Sequence, residues 1–107
     1  MNYNVVISDQ AKKDLYRIYS YIFTVLKSKV NANSILKRLY EAIEKLNFMP
    51  NRYHRYQSEP WFSRGVRFFS VNNYSIFYVI DETTATVIVI HIIYGKRDFD
   101  KVLFPAE

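Results

Sequence analysis

The residues best suited to chemistry are basic and aromatic, and the densest group of them lies in the middle of the chain. Between Pro50 and Arg67 the sequence carries Arg52-Tyr53-His54-Arg55-Tyr56, then Trp61 and Arg64. A histidine near neutrality serves as acid or base. Arginine forks match phosphate oxygens, and Tyr53, Tyr56 and Trp61 offer faces on which bases stack. Such a set suits cleavage of RNA by its own 2′-hydroxyl. That reaction needs a base, an acid and fixed cations around the charged phosphorane. Arg67, between Val66 and Phe68, and Arg97, after Gly95, are the cations carried by strands rather than by the loop.

The same residues have plainer readings. His54 reads as a solvated loop residue and Trp61 as an anchor that holds the loop on the core. Arg67 and Arg97 read equally as surface cations or as partners of Asp81, Asp98 or Asp100. His91 alternates with Val89 and Ile93 and reads as a buried, hydrogen-bonded histidine. There is no cysteine, which removes disulfides, thiolate nucleophiles and zinc–cysteine sites. No metal-ligand cluster, glycine-rich phosphate loop or nucleophile–base motif is visible, so neither a metal nor a cofactor is expected.

The elements that must position these groups follow from periodicity. Tyr3 to Ile7 is β-branched and reads as a strand. Ser8 is placed to cap a helix, with Asp9 favourably in its first turn. Ala11, Leu15, Ile18, Ile22 and Leu26 make one helical stripe, which predicts a helix ending near 27–30. Asn31 then caps a second helix, whose stripe is Ala32, Ile35, Leu36, Leu39, Ile43 and Leu46. Glu41 and Lys45 form a stabilising pair on its outer side, and Pro50 stops it.

Residues 50–64 read as a loop, and Val66–Val71, Tyr74–Asp81 and Thr86–Tyr94 as strands. Asn72-Asn73 tolerates the positive φ of a tight hairpin. Both links are too short for a crossover, so these three strands are antiparallel. The expected architecture is α+β, in the order β-α-α-β-β-β. The helical hairpin packs on one face of a twisted antiparallel sheet, the first strand is added at an edge, and the other face stays partly open.

The length of 107 residues fits one domain, residues 1–107. Half of the residues are hydrophobic and 18% are aromatic, far too many for a disordered chain. No stretch approaches the ~20 apolar residues of a membrane span, and the start lacks the pattern of a signal peptide. A cytoplasmic protein is the expectation. The net charge of +5 favours polyanions or an acidic partner. The excess is densest in residues 50–67, with four basic groups against one acidic.

Four stretches in this order resemble the RelE/ParE superfamily of toxins from type II toxin–antitoxin systems. They are Ile7 through Leu15 with Tyr21-Ile22; Leu46 through Pro50; Gly65-Val66-Arg67 leading to Asn73 through Ile80; and Ile93 through Phe99. The resemblance covers nearly the whole chain and implies a growth-arresting toxin neutralised by a cognate, acidic antitoxin. It also implies one of two targets. The ParE-like branch poisons DNA gyrase, whereas the RelE-like branch cleaves mRNA in the ribosome.

Arg67 and Arg97 match family positions. Tyr94 stands where relatives often carry histidine; its hydroxyl can donate a hydrogen bond but is a poor base at neutral pH. For a nuclease, the resemblance implies Arg67, Arg97 and His54 as catalytic residues. For either branch, it implies target contacts from Arg64, Arg67, Tyr94, Lys96, Arg97 and Phe99. Two departures tilt the reading towards ParE. Ser70 stands where RelE-like nucleases commonly place an arginine, and the tail after Arg97 holds neither Tyr nor His. A folded DNA-binding module is the remaining alternative, and it is disfavoured because no helix-turn-helix is visible.

Overall fold

The computed structural model describes residues 2–95. The chain runs through β1 (Asn4–Ile7), α1 (Asp9–Ser20), a π-helical turn (Tyr21–Val25), α2 (Lys29–Glu44), two 3₁₀ turns (Lys45–Asn47 and Pro50–Arg52), β2 (Arg67–Val71), β3 (Tyr74–Asp81) and β4 (Thr86–Tyr94). The four strands form one sheet in the order β1-β4-β3-β2. As expected, β2, β3 and β4 pair antiparallel, and β1 adds at an edge. It runs parallel to β4, so the sheet is mixed. A parallel neighbour needs a long crossover, and the helical hairpin supplies it.

The helix caps are only partly as the sequence suggested. Ser8 accepts from the Ala11 amide at 3.1 Å. The second helix is capped by Ser28, whose Oγ accepts from Asn31 N at 3.2 Å. Asn31 is thus the third helical residue rather than the cap. Glu41 pairs with Lys37 at 3.9 Å, one turn to the N-terminal side of the expected Lys45.

The first helical stripe also breaks early. After Ser20 the ladder widens, with Leu26 N donating to Tyr21 O. A wider turn carries more residues and rotates whatever follows. Ile22 therefore stays buried while Leu26 is 57% exposed.

The main core lies between the helices and one sheet face. Ala11, Leu15, Leu39 and Ile43 pack there on Ile76, Tyr78, Val87 and Val89. The opposite face carries a second cluster, in which Trp61 from the loop covers Val66, Phe77 and Ile93. Trp61 does anchor the loop. The register slips between Phe77 and Tyr78, which leaves Ile90 as the extra residue of a bulge on β4. The bulge resets the alternation. Val89 and Ile93 consequently lie on opposite faces, correcting the expectation that they share one with His91.

Candidate functional site

The sequence-derived candidates do not converge on one spot. Arg67 opens β2 opposite Tyr78, whereas Tyr94 closes β4 opposite Tyr74. These positions are four residues apart along β3, about 13 Å at the rise of a strand.

Arg67 is half-buried. Its guanidinium donates to the carbonyls of Asn51 at 3.2 Å and Tyr53 at 2.7 Å. Tyr53 stacks on Phe69, with ring centres 4.3 Å apart, and the Tyr78 hydroxyl donates to the Pro50 carbonyl. These contacts brace the start of the 50–66 segment. None of the described carboxylates pairs with Arg67. His54 is exposed, and its carbonyl accepts from Phe68 N, which fixes its backbone beside the sheet edge. Arg64 is exposed and lies over the Trp61 ring, 5.3 Å from its centre. Lys96, Arg97 and Phe99 lie outside the described residues.

A large concave feature lies at the other end of the helix-covered face. An open groove of about 910 Å³ runs between α1, the π-helical turn, α2 and the Asn72-Asn73 hairpin. Asn72 and Asn73 have φ of 54° and 120°, the positive values expected of this turn. The Asn73 carbonyl accepts from Gly95 N at 2.8 Å, tying the end of β4 to the hairpin. Tyr94 lines the groove, is 53% exposed and leans on the Tyr74 ring, with centres 5.1 Å apart. Burial raises the Tyr74 phenol above its ordinary value, and the neighbouring phenols of Tyr94 and Tyr21 add to the rise. Tyr74 therefore enters the groove as a neutral hydrogen-bonding group.

Beneath the groove lies a feature the sequence reading missed. Asp14 is buried on α1. One of its oxygens is 2.6 Å from His91 Nδ1 and accepts from Ile92 N at 2.9 Å; the other accepts from Gln10 Nε2 at 3.0 Å. The ionised carboxylate only accepts, so Nδ1–H of His91 donates to it. The available signal was position. Asp14 lies three residues after Ala11 and four before Ile18, on the apolar stripe, where a carboxylate needs an internal partner. His91 is the hydrogen-bonded histidine expected, but it serves a helix-to-sheet link.

Among the described residues, no three His, Cys, Asp or Glu side chains gather in a way that could hold a metal ion. No described helix is long and apolar enough to cross a membrane.

Residues 5–99 match the sequence profile of the ParE toxin of type II toxin–antitoxin systems, parDE. No curated protein sequence matches significantly. The fold is similar to the chromosomal ParDE toxin–antitoxin system of Pseudomonas aeruginosa, with a TM-score of 0.72 at 20% identity, covering 88% of this chain and 97% of that one. It is also similar to a chain of the RelBE2 toxin–antitoxin complex of Mycobacterium tuberculosis, with a TM-score of 0.67 at 20% identity over 88% and 99% of the two chains. A third likeness is to the archaeal RelE–RelB complex of Pyrococcus horikoshii, with a TM-score of 0.59 at 14% identity over 91% and 99%.

Proposed function

The chain belongs to the ParE toxin family of type II toxin–antitoxin systems, and from that premise we propose that it arrests growth in the cytoplasm by poisoning DNA gyrase. Its partner is a cognate antitoxin, in keeping with the complexes formed by its structural neighbours.

The observation that carries the choice of target is the state of Arg67. Its guanidinium is engaged by the carbonyls of Asn51 and Tyr53, so it braces a loop instead of waiting for a phosphorane. His54, the candidate acid or base, is exposed. A transition state needs fixed, aimed groups, and Ser70 adds no cation to the site. Binding to a protein target makes no such demand. Arg64, Tyr94, Lys96, Arg97 and Phe99 are the proposed target contacts.

The competing reading is mRNA cleavage in the ribosome, favoured by the likeness of fold to RelE-type chains. Brief induction of the wild type and of Arg97→Ala separates the two, with primer extension on a cellular mRNA and gyrase supercoiling assayed on the same samples. Gyrase poisoning predicts loss of supercoiling activity with intact mRNA, and a parallel fall of gyrase affinity and toxicity in Arg97→Ala. Discrete in-frame cuts that vanish in Arg97→Ala overturn the gyrase reading.

A further inference from the structure

We propose that the tip of the helical hairpin, residues 23–31, is a docking surface for anionic lipid at a membrane face. The inference goes beyond the gyrase reading and does not depend on it.

The tip projects free of the body. Ile22 and Ala32 are buried, and between them every residue is exposed except the half-buried Ser28. A projecting connection is usually built from polar turn formers. This one runs from Phe23 through Val25, Leu26 and Val30 to Asn31 with no Gly, Pro, Asp or Glu. Phe23 is 41% exposed, Leu26 57%, Val25 59% and Val30 78%. Large apolar side chains crowded together at an exposed end mark a contact surface.

The polar atoms of the tip are turned inward. Leu26 N donates to Tyr21 O, and Ser28 N donates to Ile22 O. The Thr24 hydroxyl donates to Ser20 O at 2.5 Å, and Ser28 Oγ accepts from Asn31 N at 3.2 Å. Backbone and hydroxyl groups already bonded within the tip leave water at low cost, which entry into the edge of a bilayer requires. Phe23 is also held in place, because its ring stacks on Tyr19 with centres 5.8 Å apart.

Charge and shape select the occupant. Residues 15–40 contain Arg17, Lys27, Lys29, Lys37 and Arg38 and no Asp or Glu. A second copy of this chain would set like charges against each other, whereas an anionic surface complements them. The cations of the tip itself are Lys27 and Lys29. A lysine keeps its methylene stem in an apolar layer while its ammonium reaches the headgroups. Arginine forks, the better match to nucleic-acid phosphates, are missing from the tip. The apolar side chains stand on a projecting end and not in a cleft, which suits a surface that deforms around them. The tip is far shorter than the ~20 residues of a membrane span, so it seats at the interface without crossing.

The test uses the full-length chain with vesicles of two compositions, equal parts phosphatidylglycerol and phosphatidylcholine, or phosphatidylcholine alone. The protein should sediment with the anionic vesicles and stay in solution with the neutral ones, and added salt should weaken the association. Phe23→Ser/Val25→Ser/Val30→Ser should cut partitioning roughly tenfold or more. Lys27→Gln/Lys29→Gln should cut it about fivefold. Lys12→Gln/Lys13→Gln makes the same change in net charge near the start of α1, about 15 Å or more from Phe23 by helical rise, and should cost less than about twofold. All of these side chains are exposed, so the variants should keep the fold, and the lysine pairs carry the test if the triple variant does not. Because the chain has no cysteine, Val25→Cys admits a single environment-sensitive fluorophore. Its emission should shift to the blue on anionic vesicles as the tip leaves water.

Failure to sediment with anionic vesicles, or equal sedimentation with both compositions, overturns the proposal. So do equal losses in the two lysine pairs, or a label that stays silent while the protein sediments. A label that responds to duplex DNA or to the antitoxin, and not to vesicles, assigns the tip to a nucleic acid or a protein partner and overturns the membrane proposal. None of these outcomes alters the family assignment or the gyrase assay.

Discussion

Asp14 on α1 and His91 on β4 face each other across the helix-to-sheet interface, with carboxylate oxygen and Nδ1 2.6 Å apart. The same oxygen receives the Ile92 amide at 2.9 Å, directly after the bulge. One carboxylate thus satisfies the His91 ring N–H and the Ile92 backbone N–H, which lies beyond the end of the β1 pairing at Val89. It also fixes the height of α1 over the sheet and, with it, one wall of the groove.

Replacing Asp14 tests this link. Asp14→Ala strands the Ile92 amide and the His91 ring in a buried setting, at a cost of about 1–3 kcal/mol. The midpoint of urea unfolding should fall with an unchanged slope. A midpoint equal to that of the wild type would show that water replaces the carboxylate.

Alkaline stability reports on the other buried tyrosine. Burial pushes the Tyr78 phenol well above the ordinary tyrosine value, and the nearby Arg67 and Arg52 only partly offset this. A raised folded value favours the protonated phenol. Its contribution is therefore complete below the unfolded value of about 10 and is lost as pH rises through the folded value. Stability should fall above roughly pH 10. Tyr78→Phe removes the hydrogen bond to the Pro50 carbonyl and should start about 1–2 kcal/mol lower, with a shallower alkaline decline. Chemical denaturation from pH 7 to 11 compares the two profiles.

Arg67 is expected to behave as a brace. Arg67→Ala releases the carbonyls of Asn51 and Tyr53 and should cost about 1–3 kcal/mol. Limited trypsin digestion should speed up at Arg52 and Arg55, because a segment with fewer fixed contacts opens more often. Unchanged digestion in the variant would return Arg67 to the pool of free cations.

Met49 offers a gain. It sits at φ 47°, ψ 56°, just before Pro50, and its side chain is 54% exposed, so little packing is at stake. A left-handed backbone strains any residue with a Cβ. Met49→Gly should raise stability by about 0.5–1 kcal/mol despite the freer unfolded chain, whereas Met49→Ala should not. Thermal unfolding of the pair decides between strain and packing.

Periodicity and end signals determined most of the architecture. The switch from helical spacing to alternation after Pro50 located both helices and the three-stranded meander. Ser8 stated its cap, and Asn72-Asn73 its turn. These are local properties: spacing sets which side chains share a face, and φ preferences set where the chain reverses. The four stretches resembling the superfamily likewise needed no coordinates.

What only the tertiary structure decided depends on groups far apart in sequence. The parallel pairing of β1 with β4 joins residues separated by the whole helical hairpin. The π-helical turn moved Leu26 out of the core and onto the groove wall. The bulge at Ile90 put Val89 and Ile93 on opposite faces, and the packing of α1 brought Asp14 to His91. Arg67 looked like a free cation because its partners are backbone carbonyls, and the sequence of a loop does not say which of its carbonyls will face a side chain. The groove arises in the same way: Arg17, Arg38 and Tyr94 meet there because two helices and a hairpin pack at one end of the sheet, and no local pattern records where those three surfaces converge.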